Sequence, residues 1–297
     1  MGLWVRCNLA VLLLNIIAIE LANVHKCSGE CDLFQGSWVR DPSYPLYNST
    51  TCPFIEKEFD CQKNGRPDRD YLQYRWQPTG CSLERYSFRH SIPLFIHRDI
   101  KSYLVLIYLC LDFFLAKIGF NLDDAFFGFD GVGFLKKFKG KKIMFVGDSL
   151  VRDQWQSLTC LLYNARPNLK YTLMRSGMIS TFTIKGYGVT VMLDRNVYLV
   201  DIIKESKGRI LKLDSIEDGK NWRGMDMLIF NTWHWWGYRG AHQPWDYIQV
   251  GDQVMKDMDR TAAFEKALAT WGTWVDINID PSKTRVFFQG ISPNHYR

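Results

Sequence analysis

The sequence predicts an α/β fold: a parallel sheet with flanking helices, preceded by a disulfide-rich loop segment. Three observations predict it. First, apolar strands alternate with helices through the second half of the chain, as in a parallel sheet covered on both faces. Second, Ile143 to Val146 is an unbroken apolar run rich in strand formers, Gly147-Asp148-Ser149 punctuates it, and Leu150 to Leu162 reads as a helix. Third, five cysteines crowd into the stretch from Cys27 to Cys81, which is rich in Pro, Asn, Asp, Gly and aromatics.

The elements follow in order. Arg6 precedes the apolar run Leu9 to Ile19, closed by Glu20, so residues 1–22 read as a secretory signal peptide or a short signal anchor. The run is short for a full membrane span, and both cleavage and anchoring stay open. Asn48-Ser49-Thr50 is a glycosylation sequon at Asn48. In the helix after Ser149, Leu150, Gln154, Leu158 and Leu161 share one face. Val189 to Met192 and Val197 to Ile203 read as strands around an Asp194-Arg195-Asn196 turn. Met227 to Phe230 is a buried strand ending at Asn231, a long helix is expected from Asp252 to near Trp274, and Thr284 to Gln289 is the last strand.

The 297 residues, 47% hydrophobic, suffice for one large core. A net charge of +6 permits an acidic partner without requiring one. No Lys/Arg-rich block, zinc-type Cys/His spacing or internal repeat occurs, so nucleic acid is disfavoured and no metal site is expected.

A serine between a buried strand and a helix sits at the strand's carboxyl end, where open α/β sheets place ligands and free helix N–H groups can hold an oxyanion. Ser149 is thus either a helix N-cap, for which serine is well suited, or a nucleophile. An acyl-transfer serine needs a base, an acid that orients the base, and oxyanion donors. The Ser149 N–H is one candidate donor. Asp148 is expected to shape the turn rather than serve as the acid, and Arg152 sits in the first helical turn.

Family motifs extend this reading. Cys31-Asp-Leu-Phe-Gln-Gly-Ser-Trp-Val39, Tyr44-Pro-Leu-Tyr47, Cys52-Pro-Phe54, Phe59-Asp-Cys-Gln-Lys-Asn-Gly-Arg-Pro-Asp68 and Tyr74-Arg-Trp-Gln-Pro78 follow one another before Cys81. With Gly147-Asp-Ser149, Asn231-Thr-Trp-His-Trp-Trp236 and Val286-Phe-Phe-Gln-Gly-Ile-Ser-Pro293, the chain closely resembles the trichome-birefringence-like family of plant polysaccharide O-acetyltransferases. The resemblance implies a Golgi membrane enzyme with a lumenal domain, or one secreted to the cell wall. It implies a Gly-Asp-Ser, SGNH-hydrolase-like domain that moves acetyl groups onto xylan, mannan or pectin through a serine acyl-enzyme. An acetyl donor of unknown identity serves as co-substrate and no cofactor is bound. The membrane is a partner only through the N-terminal apolar segment, if uncleaved. A polysaccharide acetylesterase and a non-catalytic polysaccharide-binding or cell-wall structural protein are the alternatives.

The resemblance also assigns residues. Ser149 is the catalytic nucleophile, with Gly147, Asp148 and Arg152 supporting the motif. Asn231 and Gly177 are the candidate oxyanion donors, each with the bland alternative of an ordinary turn residue. Trp233, His234, Trp235 and Trp236 offer flat faces and hydrogen bonds to sugar rings, and each tryptophan is equally suited to a core. In the family, cysteines placed like Cys31 and Cys81, and like Cys52 and Cys160, pair, whereas the Cys61 counterpart bridges to a C-terminal segment missing here, so the resemblance implies that Cys61 is unpaired. Two departures stand out. Residues 86–127, between the Cys-rich segment 27–85 and the domain 128–297, read as an extraneous insertion such as translated intron sequence. The family's Asp-x-x-His near the C-terminus has no counterpart, and neither His234 nor His295 has an Asp three residues before it. The chain is therefore expected to be C-terminally truncated and catalytically incomplete.

Overall fold

The structure, a computed structural model, describes residues 32–79, 129–166 and 168–290. The expectations for residues 1–22, Cys31, Cys81, residues 86–127 and His295 lie outside the described residues. Among the described residues, no helix is long and apolar enough to cross a membrane.

Two compact units are present. In the smaller, β1 (Asp32–Arg40) pairs antiparallel with β2 (Tyr74–Thr79), with Trp38 opposite Trp76. Those two rings meet edge to face at 5.6 Å, and Arg75 pairs with Asp41 at 2.9 Å.

The larger unit is built on a six-stranded sheet. Its strands are β3 (Lys142–Gly147), β4 (Tyr171–Ser176), β5 (Ile179–Ile184), β6 (Val189–Asp194), β9 (Met227–Asn231) and β12 (Arg285–Gln289), in the order β12-β9-β3-β6-β5-β4. The first four of that order are mutually parallel, as expected, whereas β5 and β4 join antiparallel and make the sheet mixed. Helix α1 (Gly131–Lys137) precedes β3, and α2 (Ser149–Asn164) follows it. Helix α3 (Arg260–Asn278) precedes β12. Alternation along the strands feeds two cores. Ile143, Phe145, Val191, Leu193 and Ile229 pack with Val151, Trp155, Leu158 and Leu162 of α2. Met144, Val146, Leu228 and Phe230 pack on the other face with Trp222 and with Trp271 and Trp274 of α3. Helices on both faces explain why these strands are apolar throughout.

Several expectations need correction. The inward stripe of α2 is Val151, Trp155, Leu158 and Leu162; Leu150 and Gln154 are only half-buried. Trp155 sets that rotation, because its indole N–H donates to the Val191 carbonyl at 3.1 Å. The strand expected over Val197–Ile203 begins at Asp201, since residues 197–200 form a bend in which Leu199 has φ +62°. The helix expected from Asp252 begins at Arg260, where Asp259 accepts from the Ala262 N–H at 2.9 Å. Residues before it fold into a second sheet, order β11-β10-β8-β7, formed by β7 (Asp201–Glu205), β8 (Gly208–Lys212), β10 (Tyr247–Val250) and β11 (Gln253–Met255). Gly251, at φ +56°, makes the β10–β11 turn that interrupts the helical pattern.

Residues 42–73 of the same unit are loops with three short 3-10 turns, fastened to α2. Cys52 bonds Cys160 across a sequence separation of 108. Phe54 enters the core against Tyr163, Tyr171 and Phe182, and Gln156 accepts from the Glu56 N–H at 3.0 Å. Cys61 is free, in agreement with the expectation drawn from the family pattern. Because the Cys52–Cys160 bridge closes a long loop and Cys160 is fully buried, Cys52→Ala is expected to cost about 3–4 kcal/mol. The melting temperature should then fall by roughly 10 °C. Calorimetry of parent and variant without reductant checks this, and equal melting would sink it.

Candidate active site

Register brings the polar residues of the site to one edge. In the central ladder Gly147 lies opposite Asn231, Val146 opposite Asp194, and Asn231 opposite Gln289. The carboxyl ends of β3, β6, β9 and β12 therefore meet where α2 begins. Ser149 is the first residue of α2 and is half-buried. The cap is Asp148, whose Oδ1 accepts from the Leu150 N–H at 2.9 Å. This corrects the N-cap alternative for Ser149 and agrees with a turn-shaping Asp148. No described residue hydrogen-bonds the Ser149 hydroxyl.

Asp148 is 2% exposed. Burial raises its pKa; the Leu150 N–H, the charge of His234 and the Trp233 and His234 backbone N–H groups oppose the rise. Those last two N–H groups act through space, since Oδ2 has no hydrogen-bond partner among the described residues. His234 is thus placed near the motif, on the exposed side of a 3-10 turn at His234–Gly237.

The other predicted residues divide. Gly147 is tightly constrained, because a Cβ there would lie 1.8 Å from the Asn231 carbonyl oxygen. Asn231 reaches the edge, yet its Nδ2 donates to the carbonyls of Gln289 and Gly290, each at 3.1 Å, while the buried Oδ1 has no partner. Its amide is engaged with β12 rather than aimed at an oxyanion. Gly177 occupies the β4–β5 hairpin turn at φ +58°, at the same carboxyl edge, with β6 between β5 and β3. Trp236 is fully buried among Tyr198, Trp245 and Phe264, and its indole donates to Thr232 Oγ1 at 2.9 Å. It is a core residue, which corrects its assignment to sugar binding. Trp233 and Trp235 are half-buried, against Phe264 and Tyr238 respectively.

Glu56 and Glu58 carried no sequence signal, and Phe59 entered only as part of a family motif. Glu56, Glu58 and Phe59 come from the loop segment and wall the first turn of α2. Arg152 Nη1 pairs with Glu58 at 2.7 Å and Glu56 at 3.3 Å, and its guanidinium lies 4.7 Å over the Phe59 ring. Burial lifts the Asp153 pKa to about 6, with Arg152 opposing and Asp148 and Glu56 adding. Its side chain is nonetheless exposed to water, so screening removes most of the energetic consequence.

Asp194 is different, being 3% exposed. Burial raises its pKa to about 6, the hydrogen bond from Trp222 Nε1 at 2.9 Å opposing and Asp218 adding. The folded state holds this proton more tightly than the unfolded chain, whose value is 3.8. Its contribution to stability is therefore full below about pH 4 and lost as pH rises through 6. Asp194→Asn keeps an acceptor for Trp222 and is expected to flatten that decline, gaining about 2 kcal/mol at pH 7. Urea unfolding at several pH values checks this; an unchanged pH slope would refute it.

Residues 128–297 match PC-Esterase, a GDSL/SGNH-like acyl-esterase family found in Pmr5 and Cas1p, and residues 29–82 match the PMR5 N-terminal domain. The chain is 54% identical over 288 residues to protein trichome birefringence-like 41 of Arabidopsis thaliana, covering 97% of this chain and 69% of that protein. It is 46% identical to trichome birefringence-like 39 and 48% to trichome birefringence-like 43 of the same plant, covering 91% and 90% of this chain. It spans 62% and 61% of the lengths of those two relatives. A Gly-Asp-Ser turn at the carboxyl edge of an α/β sheet, within an acyl-esterase domain joined to a PMR5 N-terminal domain, places the chain in the trichome birefringence-like family.

Proposed function

We propose that Ser149 is the nucleophile of acetyl transfer to a hydroxyl of cell-wall polysaccharide, with xylan, mannan and pectin as the candidate polymers. The observation that carries this reading is the position of Ser149: it opens α2 at the end of β3, and Asp148 does the capping, so the serine hydroxyl is left for chemistry. In the proposed step the serine oxygen attacks the acetyl carbonyl carbon while its proton passes to a base. The donor's leaving group departs, and a sugar hydroxyl then displaces the serine. The early N–H groups of α2 are the oxyanion donors best placed for this. No base is assigned among the described residues.

The setting proposed is the Golgi lumen, with the N-terminal apolar run as anchor, or the cell wall after secretion. The Cys52–Cys160 bond suits an oxidising compartment, and the sequon Asn48 is exposed. Glycosylation there is part of the proposal. The acyl-esterase description of the matched family supports hydrolysis of the same acyl-enzyme as a second reading.

The test uses the full chain, p-nitrophenyl acetate as donor and imidazole as external base. Peptide mass spectrometry is expected to find acetyl on Ser149. Adding deacetylated polymer then separates the readings: acetyl on the polymer marks a transferase, and release as acetate marks an esterase. An unmodified Ser149 would overturn both.

A further inference from the structure

The carboxyl edge carries a cation whose side chain no described residue hydrogen-bonds or ion-pairs. Arg195 follows Asp194 at the end of β6, one position beyond the pair Val146–Asp194, which puts its backbone about one strand spacing from Gly147, ~4.8 Å. Its direction follows from alternation along the strand. Leu193 packs on the α2 face, Asp194 turns to Trp222 on the opposite face, and Arg195 returns to the α2 side. Its N–H donates to the Met178 carbonyl at 3.1 Å, which continues the extended pairing with the β4–β5 hairpin past the last ladder residue. Arg195 thus lies where its charge acts on Glu58, the ion-pair partner of Arg152 in the first turn of α2.

Its chemistry there is unfinished. Arg195 Nε is buried and has no hydrogen-bond partner, and the guanidinium forms no ion pair with a described residue. Glu58 feels its charge: the carboxyl is held below the usual range by its own backbone N–H, and further by Arg152 and Arg195. Yet Glu58 spends its close contact on Arg152, at 2.7 Å. Arg175 adds a third cation on the same side, 3.5 Å from Glu56. Three arginines therefore share Glu56 and Glu58, with Asp153 beside Arg152, and among the described residues Arg195 is the one of the three with no side-chain ion pair. A buried guanidinium N–H left unmade is costly, and its planar fork matches an anionic oxygen pair in two-point geometry.

We propose that Arg195 forms an anion-binding subsite beside Ser149, taking an anionic oxygen group of the ligand. That group is the carboxylate of a uronic-acid unit in the acceptor polymer or a phosphate of the acetyl donor. Arg195 is then a specificity-determining residue for the reaction proposed at Ser149, and the inference rests on that reading for its place in the chemistry.

The test measures binding to the full chain by titration calorimetry, with an oligogalacturonide, inorganic phosphate and a neutral xylo-oligosaccharide of equal length as probes. An anionic probe is expected to bind, more weakly as salt rises; the oligogalacturonide marks the acceptor and phosphate marks the donor. Arg195→Gln is expected to weaken that binding at least about tenfold and to leave the neutral probe unaffected. Arg195→Lys keeps the charge without the fork and should lose several-fold while melting like the parent, which guards against a misfolded glutamine variant. Lys185→Gln, at an exposed cation, should change nothing. Unchanged affinity in Arg195→Gln, or no binding of either anionic probe, overturns the proposal. Ser149→Ala separates the two readings: it should keep anion binding and lose acetylation. Retained acetyl transfer by that variant would remove the nucleophile assignment and leave the anion subsite standing.

Discussion

Ser149→Ala is expected to lower protein-dependent acetyl turnover, measured above the imidazole background, by more than about tenfold and to remove the acetyl found on that peptide. This corresponds to more than about 1.4 kcal/mol of transition-state stabilisation. The expected cost in folding stability is small, within about 0.5 kcal/mol. The Asp148 carboxylate rather than the serine hydroxyl satisfies the Leu150 N–H, the serine makes no hydrogen bond to a described residue, and alanine is a good helix former. That contrast gives the test its power. A serine whose role is structural would show the opposite pattern, with lower stability and unchanged turnover. Asp148→Ala should behave that way in part, because it removes the cap at a cost of about 1 kcal/mol before any chemical role is considered. Turnover that survives Ser149→Ala within tenfold would remove the nucleophile assignment.

Much of this site was legible because its signals are local. The run from Ile143 to Val146 has no polar face, so a strand covered on both sides was the natural reading, and the two cores confirm it. Asn231 was found because the apolar run from Met227 ends there, and a strand end in a parallel sheet is an edge position. The direction of its amide depends instead on the carbonyls of Gln289 and Gly290, nearly sixty residues later, which no pattern around Asn231 encodes. The tryptophan cluster shows the same limit. Trp233, Trp235 and Trp236 are chemically alike and close in sequence, and only packing against Tyr198, Trp245 and Phe264 puts Trp236 inside. The wall at Glu56 to Phe59 reaches α2 through a disulfide and ion pairs spanning about a hundred residues. The β4–β5 hairpin escaped notice for a different reason. Tyr171–Ser176 runs from half-buried to exposed and lacks the alternation that marks a strand, so it is held by pairing with β5 rather than by its own pattern.

Gly147→Ala is expected to be among the most damaging single substitutions in the chain, costing more than about 4 kcal/mol. A Cβ built there would lie 1.8 Å from the Asn231 carbonyl oxygen, 2.9 Å from the Asn231 carbonyl carbon and 3.0 Å from Val151 Cγ2. The first two are backbone atoms of the neighbouring strand and no rotamer change moves them. Relief requires β9 to withdraw from β3, which breaks the parallel ladder at the centre of the sheet and loosens Phe230 and Ile229 in opposite cores. The φ of +149° adds strain for any residue with a side chain. Gly272→Ala provides the contrast. It lies inside α3 with nothing within 4 Å of a Cβ and should gain about 0.5–1 kcal/mol. Melting curves of the two variants beside the parent decide the matter, and a Gly147→Ala protein melting within a few degrees of the parent would show that β3 and β9 need not approach so closely. The same approach sets Asn231 against the strand end and fixes the turn from which Ser149 enters α2, so a glycine is required there for the fold before it is required for the chemistry.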